Sequence, residues 1–273
     1  MKYHSISKKI IFFVCLVFAL IIIVPFLIIL INSFKGAREA ALFSLTLPKQ
    51  VSFDNYQKTF QYSRILRGFG NSIVLSVGTV IFTNLFATMA AFVIQRQDDR
   101  LHKIIYIVFL MGLIIPISII PTIRLMMLLK VHNTYVGIIL YYVAINLPFT
   151  VFLFTGYMKS IPRELDEAVF IEGGSYFTLF SRIILPLLLT PLVTSTIIIM
   201  VNVWNDFMGP FYLISDSRKW TIILNVFNFV SMYQTNWGVL FAFMVMVITP
   251  VLIIYLLLQK YIISGLTAGS LKG

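Results

Sequence analysis

The acidic residues that could do chemistry in this chain are concentrated in one stretch, residues 161–186 (IPRELDEAVFIEGGSYFTLFSRIILP). Of the ten acidic residues in the chain, this stretch holds Glu164, Asp166, Glu167 and Glu172. Its apolar residues recur at helical spacing and predict one stripe, made of Ile161, Leu165, Ala168 and Val169. Charged residues fill the rest of the circumference. The pattern predicts an amphipathic docking element that presents charge to a partner, and not a catalytic site.

A pair of glycines is expected to divide this stretch into two helices. Ser160 is placed to cap the first helix and Ser175 the second. The Gly173–Gly174 pair between them breaks the chain direction, because glycine adopts left-handed backbone angles without steric cost. Pro186 either ends the second helix or begins the next one. The sequence therefore predicts a helix–bend–helix over residues 160–186, between two membrane spans.

The overall composition places the chain in a bilayer. It is 59% hydrophobic and 11% charged, whereas a soluble domain has about 25% charged residues. The net charge of +11 comes from basic residues at the ends of apolar runs, which predicts interface anchors and disfavours a nucleic-acid surface. The single cysteine, Cys15, excludes an intrachain disulfide. The three histidines are scattered, so no metal site is predicted.

Apolar runs of membrane-crossing length predict six spans. The first run would extend about 33 Å as a helix, which is too long for a signal peptide, and it is interpreted as an uncleaved span. Pro116 and Pro121 are expected to interrupt the third span. Residues 220–230 are too short to cross and predict an interfacial or re-entrant helix. The six spans are expected at about 10–31, 71–94, 104–127, 136–158, 187–208 and 239–263.

Two further patterns concern how the spans are arranged. Small residues recur every three or four positions along the second span, at Ser72, Ser76, Thr79, Thr83, Ala87 and Ala90. They predict a face that packs closely on another helix, with a pore-lining face as the alternative.

The distribution of Lys and Arg gives weak support to a cytoplasmic N-terminus. An even number of spans then places both termini in the cytoplasm.

The stretch over residues 161–186 resembles the cytoplasmic loop of the membrane subunits of binding-protein-dependent ABC importers. That loop has the form E-A-A, three residues, G, nine residues, I-x-L-P, and both gaps have the required length here. The matching residues are Glu167, Ala168, Val169, Gly173, Ile183, Leu185 and Pro186, and Gly174 continues the bend. Val169 replaces the second alanine and is expected to loosen or reshape a tight contact.

The remaining motifs resemble the maltose-type, sugar-importer branch of these permeases. They are INSFK after the first span, SFDNY, the Asn-Ser pair that opens the second span, WNDF, and the terminal GLTAGSLKG. In WNDF, Asp206 stands where glutamate is commoner. The resemblance implies an all-α integral membrane protein, with residues 1–273 forming a single transmembrane permease domain in the bacterial inner membrane.

The resemblance also implies the partners and the work of the chain. It would be one of two homologous membrane subunits that import an oligosaccharide or similar solute, completed by two ABC ATPase subunits and an external solute-binding protein. The chain contains no Gly-Lys pair and hence no phosphate-binding G-x-x-x-x-G-K-[ST] loop, so ATP and magnesium are expected in the ATPase subunits. The alternatives are a secondary transporter or channel, disfavoured by the scarcity of acids in the spans, and a membrane enzyme, disfavoured by the absence of hydrolase motifs.

Two groups of residues are candidates for contacts beyond the docking loop. Aromatic and amide side chains suited to a sugar are Tyr141, Tyr142, Asn146, Asn202, Trp204, Asn205 and Asp206, with interface aromatics and helix-packing amides as the alternative reading. In the outer segment 211–238, an apolar face of Ile223, Val226, Phe227 and Val230 is expected to pack on the bundle. The opposite face would point to the binding protein through Thr221, Asn225 and Asn228. The alternative is a simple interfacial helix anchored by Trp220.

Overall fold

The computed structural model describes residues 2–62, 65–229 and 236–268, and this part of the chain is helical with no β-strand. Val230 and the last five residues of the GLTAGSLKG tail lie outside it. Its helices are α1 (Lys2–Asn32), α2 (Ala37–Ala40), α3 (Asp54–Tyr62), α4 (Ile65–Arg96), α5 (Arg100–Ile114), α6 (Ile119–Leu128), α7 (Tyr135–Met158), α8 (Glu164–Ile171), α9 (Tyr176–Leu187), α10 (Leu189–Asn205), α11 (Met208–Leu213) and α12 (Trp237–Ala268). Two 3₁₀ segments, Ser217–Lys219 and Ile223–Asn228, precede α12.

Four helices in the described residues are long and apolar enough to cross a bilayer. They are Lys9–Asn32, Ile65–Arg96, Tyr135–Met158 and Trp237–Leu257. Helices α9 and α10 pass the same test together, although they are bent by 70°. The all-helical fold class is therefore confirmed, and the first, second, fourth and sixth predicted spans coincide with these four helices. The count of six stays a prediction.

The predicted third span, residues 104–127, is divided between two helices. Helix α5 ends at Ile114 and α6 begins at Ile119, so the interruption expected at Pro116 is confirmed. The interruption expected at Pro121 is wrong, because this proline lies in the first turn of α6. A proline is tolerated there, since the N–H group that it lacks would have no acceptor within the helix.

The chain divides into two compact units, which are Met1–Leu66 with Asn225–Pro250, and Arg67–Leu224 with Val251–Gly273. The second unit contains two apolar cores, where the small-residue stripe of α4 is buried. Ser76, Thr79 and Thr83 are at most 1% exposed, and Thr79 donates its hydroxyl to the Leu75 carbonyl at 2.7 Å. The packing interpretation of this stripe is confirmed.

The first unit is organised around a buried lysine that the sequence motifs did not reveal. Lys35, within INSFK, is fully buried. Its Nζ donates to Asn32 Oδ1 at 3.0 Å and to the Ser44 carbonyl and hydroxyl at 2.9 and 3.0 Å. Asn55, within SFDNY, donates Nδ2 to the carbonyls of Ser33 and Lys35. A buried charge is costly unless it is hydrogen-bonded, and these acceptors supply the hydrogen bonds of Lys35. The bonds of Asn55 join the SFDNY motif to INSFK, and we call this connected set of residues the polar clasp.

Candidate functional site

The first docking helix, α8, begins three residues later than the sequence suggested. It starts at Glu164, and Arg163 at its N-cap makes no capping bond through its side chain. Ser160 donates its hydroxyl to the Tyr157 carbonyl at 2.7 Å. The predicted Ser160 cap is therefore wrong, because this side chain closes the end of α7 instead. The acids in the first turn of α8 lie at the positive end of the helix dipole, where negative charge is favourable.

The glycine bend after α8 is confirmed, and its hydrogen bonds define it. Gly173 has φ of 78°, a left-handed angle that glycine adopts without strain. The Gly174 N–H donates to the Val169 carbonyl at 2.8 Å, and the Gly173 N–H to the Phe170 carbonyl at 3.0 Å. These two bonds form a Schellman motif. A Cβ on Gly174 would lie 2.6 Å from Cγ1 of Val169, so the second position of the pair also requires glycine.

The second docking helix, α9, is capped as predicted but runs further. Ser175 Oγ accepts from the Thr178 N–H at 3.3 Å. The helix was expected to reach Ile184 and instead continues to Leu187. Its segment Leu179–Ile184 is a π-helix that ends just before Pro186, which cannot donate to the α-helical i→i−4 ladder.

The inner side of α9 is anchored in the core of the second unit. Leu179, Ile184 and Leu188 are at most 1% exposed and belong to one cluster with Ala87 of α4 and Phe154 of α7. Of the motif residues in α9, Ile183 is half-buried, whereas Leu185 and Pro186 are exposed. The base of the docking element is therefore packed against two long helices.

The tip of the docking element exposes apolar and aromatic side chains. Ile171 is 86% exposed, Phe177 77% and Tyr176 62%. Glu167 and Ala168 are exposed beside them. Where such a cluster of exposed apolar residues lies outside the bilayer, it marks an interaction surface.

The predicted sidedness of α8 is partly wrong. Leu165 and Ala168 of the apolar stripe are exposed, whereas Asp166, expected to face a partner, is half-buried. Asp166 forms an ion pair with Arg96 at the end of α4, with 2.7 Å between Oδ2 and Nε. The surface against which α8 packs therefore includes a cation, which turns an acidic residue inwards.

A polar cavity of about 420 Å³ lies in the second unit, between α7 and α10. Six of the seven residues predicted for a solute pathway line it: Tyr141, Tyr142, Asn146, Asn202, Asn205 and Asp206. The exception is Trp204, which is 4% exposed and contacts the ring of Phe69, with 6.0 Å between ring centroids. The structure thus brings these six side chains together at one cavity, and their contact with a solute stays a prediction.

Asp206 organises the wall of this cavity. Its Oδ2 accepts from the Tyr142 hydroxyl at 2.9 Å, and its two oxygens accept from the N–H groups of Met208 and Gly209 at 3.0–3.3 Å. A Cβ on Gly209 would clash with Oδ2 of Asp206. The carboxylate is therefore held by bonds within the chain, and its main effect is to position Tyr142.

The remaining polar groups of the cavity suit a hydroxyl-rich solute. Asn146 is 7% exposed and donates to the Tyr142 carbonyl at 2.8 Å, which fixes its Oδ1 within 3.5 Å of Asn202 Nδ2. Asn202 and Asn205 are exposed, and the ring of Tyr141 is half-exposed. Amides supply both donors and acceptors, and an aromatic ring supplies an apolar face. The arrangement favours reversible binding by hydrogen bonds and stacking.

The Asn-Ser pair at Asn71 and Ser72 has a function in the fold that the sequence did not reveal. Asn71 Nδ2 donates to the carbonyls of Arg218 and Trp220 at 3.0 and 2.9 Å. Ser72 Oγ accepts from the Ile222 N–H at 2.9 Å. These bonds fix the segment before the second 3₁₀ turn. The exposed Arg218 guanidinium in that segment lowers the pKa of Asp216 to about 2, so this carboxylate stays ionised.

The amphipathic helix predicted over residues 220–230 is wrong. Residues 220–222 are not helical, and the 3₁₀ turn Ile223–Asn228 follows. Thr221 and Asn225, expected to face a partner, are each 2% exposed, whereas Phe227, expected to be buried, is 44% exposed. Asn228 is exposed, as expected. The bonds from Asn71 and Ser72 hold the start of the segment in an irregular path, so helical periodicity does not determine which side chains face outwards.

Residues 83–267 match the family described as binding-protein-dependent transport system inner membrane component. The whole chain is 32% identical to the probable starch degradation products transport system permease protein AmyC of Thermoanaerobacterium thermosulfurigenes, with 100% of both chains covered. It is also 32% identical, over 93% of each chain, to the multiple sugar-binding transport system permease protein MsmG of Streptococcus mutans.

Among solved structures, the chain resembles one from a bacterial ABC transporter involved in the import of the acidic polysaccharide alginate. The TM-score is 0.86 at 20% identity, over 96% of this chain and 98% of the other. A second similar structure is a bacterial alginate ABC transporter in complex with an alginate pentasaccharide-bound periplasmic protein, with a TM-score of 0.60, 15% identity and coverage of 77% and 82%. These likenesses show a common fold.

The tight packing of Gly209 against Asp206 generates a prediction about the cavity. Gly209→Ala should destabilise the protein by about 1–3 kcal/mol, because the added methyl group displaces the Asp206 carboxylate. Displacement also breaks the bond to Tyr142, so Tyr142→Phe should cost stability in the native background and almost none in the Gly209→Ala background. The measurement is thermal unfolding in detergent.

The control for this cycle is Gly156→Ala in α7, where an added Cβ has no neighbour within 4 Å. This variant should be at least as stable as the native protein, because alanine favours a helix more than glycine does. Equal losses from Tyr142→Phe in both backgrounds would contradict the proposed coupling between Gly209, Asp206 and Tyr142.

Proposed function

The chain belongs to the family of binding-protein-dependent transport system inner membrane components, and from this membership we propose that it is a membrane-spanning subunit of an ABC importer for a sugar, an oligosaccharide being the best candidate. The observation that carries the proposal is the exposed docking tip, where Glu167 of the importer-type motif lies beside exposed apolar residues. Relatives named for starch products and multiple sugars support the substrate class. Family membership disfavours an ATPase-independent secondary transporter or channel.

The importer requires partners that supply energy and substrate. We assign to it a second homologous permease subunit, two ABC ATPase subunits and an extracytoplasmic solute-binding protein, with membrane lipid around the spans. The alginate importer in complex with its periplasmic protein supports the last of the protein partners. ATP and magnesium bind to the ATPase subunits in this proposal, and this chain itself binds no cofactor. The contact of Asn228 with the binding protein stays a prediction.

Coupling depends on a rigid lever between the ATPase and the spans, because alternating access requires two discrete arrangements. The tip around Glu167 receives the motion of the ATPase. The glycine bend sets the angle between α8 and α9, and the packed base of α9 resists independent movement. The motif's end, Leu185 and Pro186, lies next to the 70° bend at Leu188. Motion of α9 therefore passes into α10, which carries part of the polar cavity.

The polar cavity is the proposed stretch of sugar pathway contributed by this subunit. Tyr141 offers a stacking face, and Asn146, Asn202 and Asn205 offer hydrogen bonds. Because Asp206 is committed to bonds within the chain, we assign it a positioning role. Trp204 packs away from this cavity and has no place in the proposed pathway.

The proposed topology has six spans with both termini in the cytoplasm of a bacterial cell. The broken pair α5 and α6 supplies the third span, and α9 with α10 supplies the docking helix and the fifth. The loop between α4 and α5 and the docking element then lie on the cytoplasmic side, and the clasp around Lys35 lies outside.

The docking assignment predicts a loss of transport without a loss of insertion. Glu167→Lys reverses the charge at the ATPase contact, and Gly173→Pro prevents the positive φ of the bend. Both variants should insert normally and lower sugar uptake by about tenfold or more, in the range of allosteric coupling energies. The measurements are uptake by cells and copurification of the ATPase.

Asp98→Lys is the charge-reversal control, since Asp98 is an exposed acid outside the docking element. It should preserve uptake. Normal uptake by both docking variants would refute the assignment of residues 160–186 as the ATPase contact.

The topology is testable with single cysteines in a Cys15→Ser background. Ser5→Cys, Lys58→Cys, Ser217→Cys and Lys272→Cys are treated with an impermeant thiol reagent in intact cells. Positions 58 and 217 should be labelled and positions 5 and 272 should not. The structure does not describe Lys272 or the side chain of Ser5, so labelling tests both ends of the chain independently. Labelling at 272 from outside would show an odd number of spans.

A further inference from the structure

Two helix ends meet where the docking element approaches α4. Arg96 is the last residue of α4, and Asp166 lies in the first turn of α8. Arg96 donates Nε to Asp166 Oδ2 at 2.7 Å and Nη2 to Oδ1 at 2.9 Å. Two parallel bonds between a guanidinium and a carboxylate fix orientation as well as distance. The pair therefore determines how α8 is aligned on α4.

Two weaker bonds reinforce the same junction in a reciprocal manner. Arg96 Nη1 donates to the Ile161 carbonyl at 3.4 Å, and Arg163 Nη2 donates to the Gln95 carbonyl at 3.2 Å. An arginine from each side thus binds a backbone carbonyl of the other. The junction extends over the linker before α8 as well as its first turn.

The electrostatic environment favours this pair over the other ion pairs among the described residues. A cation at the C-terminal end of α4 and an anion at the N-terminal end of α8 each complement a helix dipole. The side chains of Arg96 and Asp166 are 9% and 15% exposed, whereas those of Lys103 and Asp98 nearby are 66% and 75% exposed. Solvent and salt therefore screen the Arg96–Asp166 pair less.

We propose that the Arg96–Asp166 pair is a positioning clamp that makes α4 and the docking helix α8 move as one body. The inference rests on the proposed function, because it concerns how force from the ATPase enters the spans. Without the pair, α8 would keep the glycine bend, the packing of Val169 on the apolar core and the Arg163–Gln95 bond, but no two-point contact that fixes its orientation. With it, motion received at Glu167, the next residue along the chain, reaches α4 directly.

The clamp completes a second route to α10. Asn84 of α4 donates Nδ2 to Thr196 Oγ1 at 3.0 Å and accepts from Ser195 Oγ at 2.6 Å. Both contacted residues belong to α10. Force therefore passes from α8 to α10 along α9, and also through α4 and its Asn84 bonds. Helix α10, which lines the polar cavity, thus receives motion both from α9 and from α4.

The test measures the distance between α8 and α4 directly. Spin labels are attached at Ile81→Cys, on the exposed side of α4, and at Glu172→Cys, at the exposed end of α8, in a Cys15→Ser background. Distances are recorded by pulsed electron resonance for the chain alone and for the reconstituted importer, without nucleotide and with Mg-ATP plus vanadate. We expect one narrow distance with the same mean in every state.

Neutralising either partner should release α8. Asp166→Asn and Arg96→Gln should widen the distance distribution about twofold or more, in the chain alone as well as in the importer. Arg96→Lys keeps the charge but loses the two-point geometry and should give an intermediate width. The swapped pair, Arg96→Asp with Asp166→Arg, should give a narrower distribution than either charge reversal alone, which a general loss of stability would not do. The native width should not be fully recovered, because each charge then opposes a helix dipole. Asp98→Asn, in the exposed pair, is the control and should change nothing.

Two results would overturn the clamp: the same distribution in the native protein and both neutralised variants, or a mean distance in the native importer that shifts with nucleotide. A different result would refute the proposed function: the absence of an ABC ATPase from the purified native complex. Because the chain alone is measured as well, the clamp is tested even where that assembly fails.

Discussion

A peptide group in the hydrocarbon of a bilayer has no water with which to form a hydrogen bond, and each unpaired group costs several kcal/mol. The backbone of the spanning helices meets this requirement internally, and several of their hydroxyl side chains do the same. Thr79, Thr150 and Thr249 each donate to the carbonyl four residues earlier. Where the backbone leaves helical geometry, side chains supply its partners: Asn71 binds two carbonyls and Asp206 binds two N–H groups.

In the docking element, which the proposed topology places outside the bilayer, local groups close the two helix ends at the bend. Ser175 caps the start of α9, and the Schellman bonds of Gly173 and Gly174 close the end of α8. The hydrogen bonds of the backbone at the bend are therefore formed locally. The side chains have two other roles, which are packing at the base and exposure at the tip. Leu179 and Ile184 bind the base to the core, while Ile171 and Phe177 remain exposed at the tip. A fixed base and an exposed tip are the properties of a lever.

The features predicted correctly from the sequence depend on local backbone chemistry. A glycine pair after an amphipathic run predicts a left-handed bend, and Ser175 predicts the cap of α9, although the same rule fails at Ser160. Pro116 predicts a break. The small-residue stripe of α4 was also predictable, because helical periodicity alone places its members on one face. Six of the seven residues predicted for a solute pathway lie together because five of them occupy α7 and α10, which approach each other, and Asp206 directly follows α10.

The features that the sequence could not provide arise from contacts between distant residues. Arg96 and Asp166 are separated by 70 positions, and nothing in either segment identifies the partner. Thr221 and Asn225 were placed on the wrong side because Asn71 and Ser72 fix the start of their segment. In the sequence, Lys35 resembles a cation at the membrane interface. In the structure it is completely buried, and acceptors within residues 32–46 bind its Nζ. Trp204 could not be separated from its cavity-lining neighbours without knowing which side of α10 faces α7.

The central claim is that the tip of the docking element contacts an ATPase. It is tested most directly by a photoreactive amino acid in place of Ile171, the most exposed apolar residue of the tip, with the same amino acid at exposed Leu66 as the control position. After irradiation in cells, the cross-linked partner is identified by mass spectrometry. The account predicts a product between position 171 and a protein with a G-x-x-x-x-G-K-[ST] phosphate-binding loop, and none from position 66. Cross-linking of position 171 to lipid alone, or to a protein without such a loop, would contradict it.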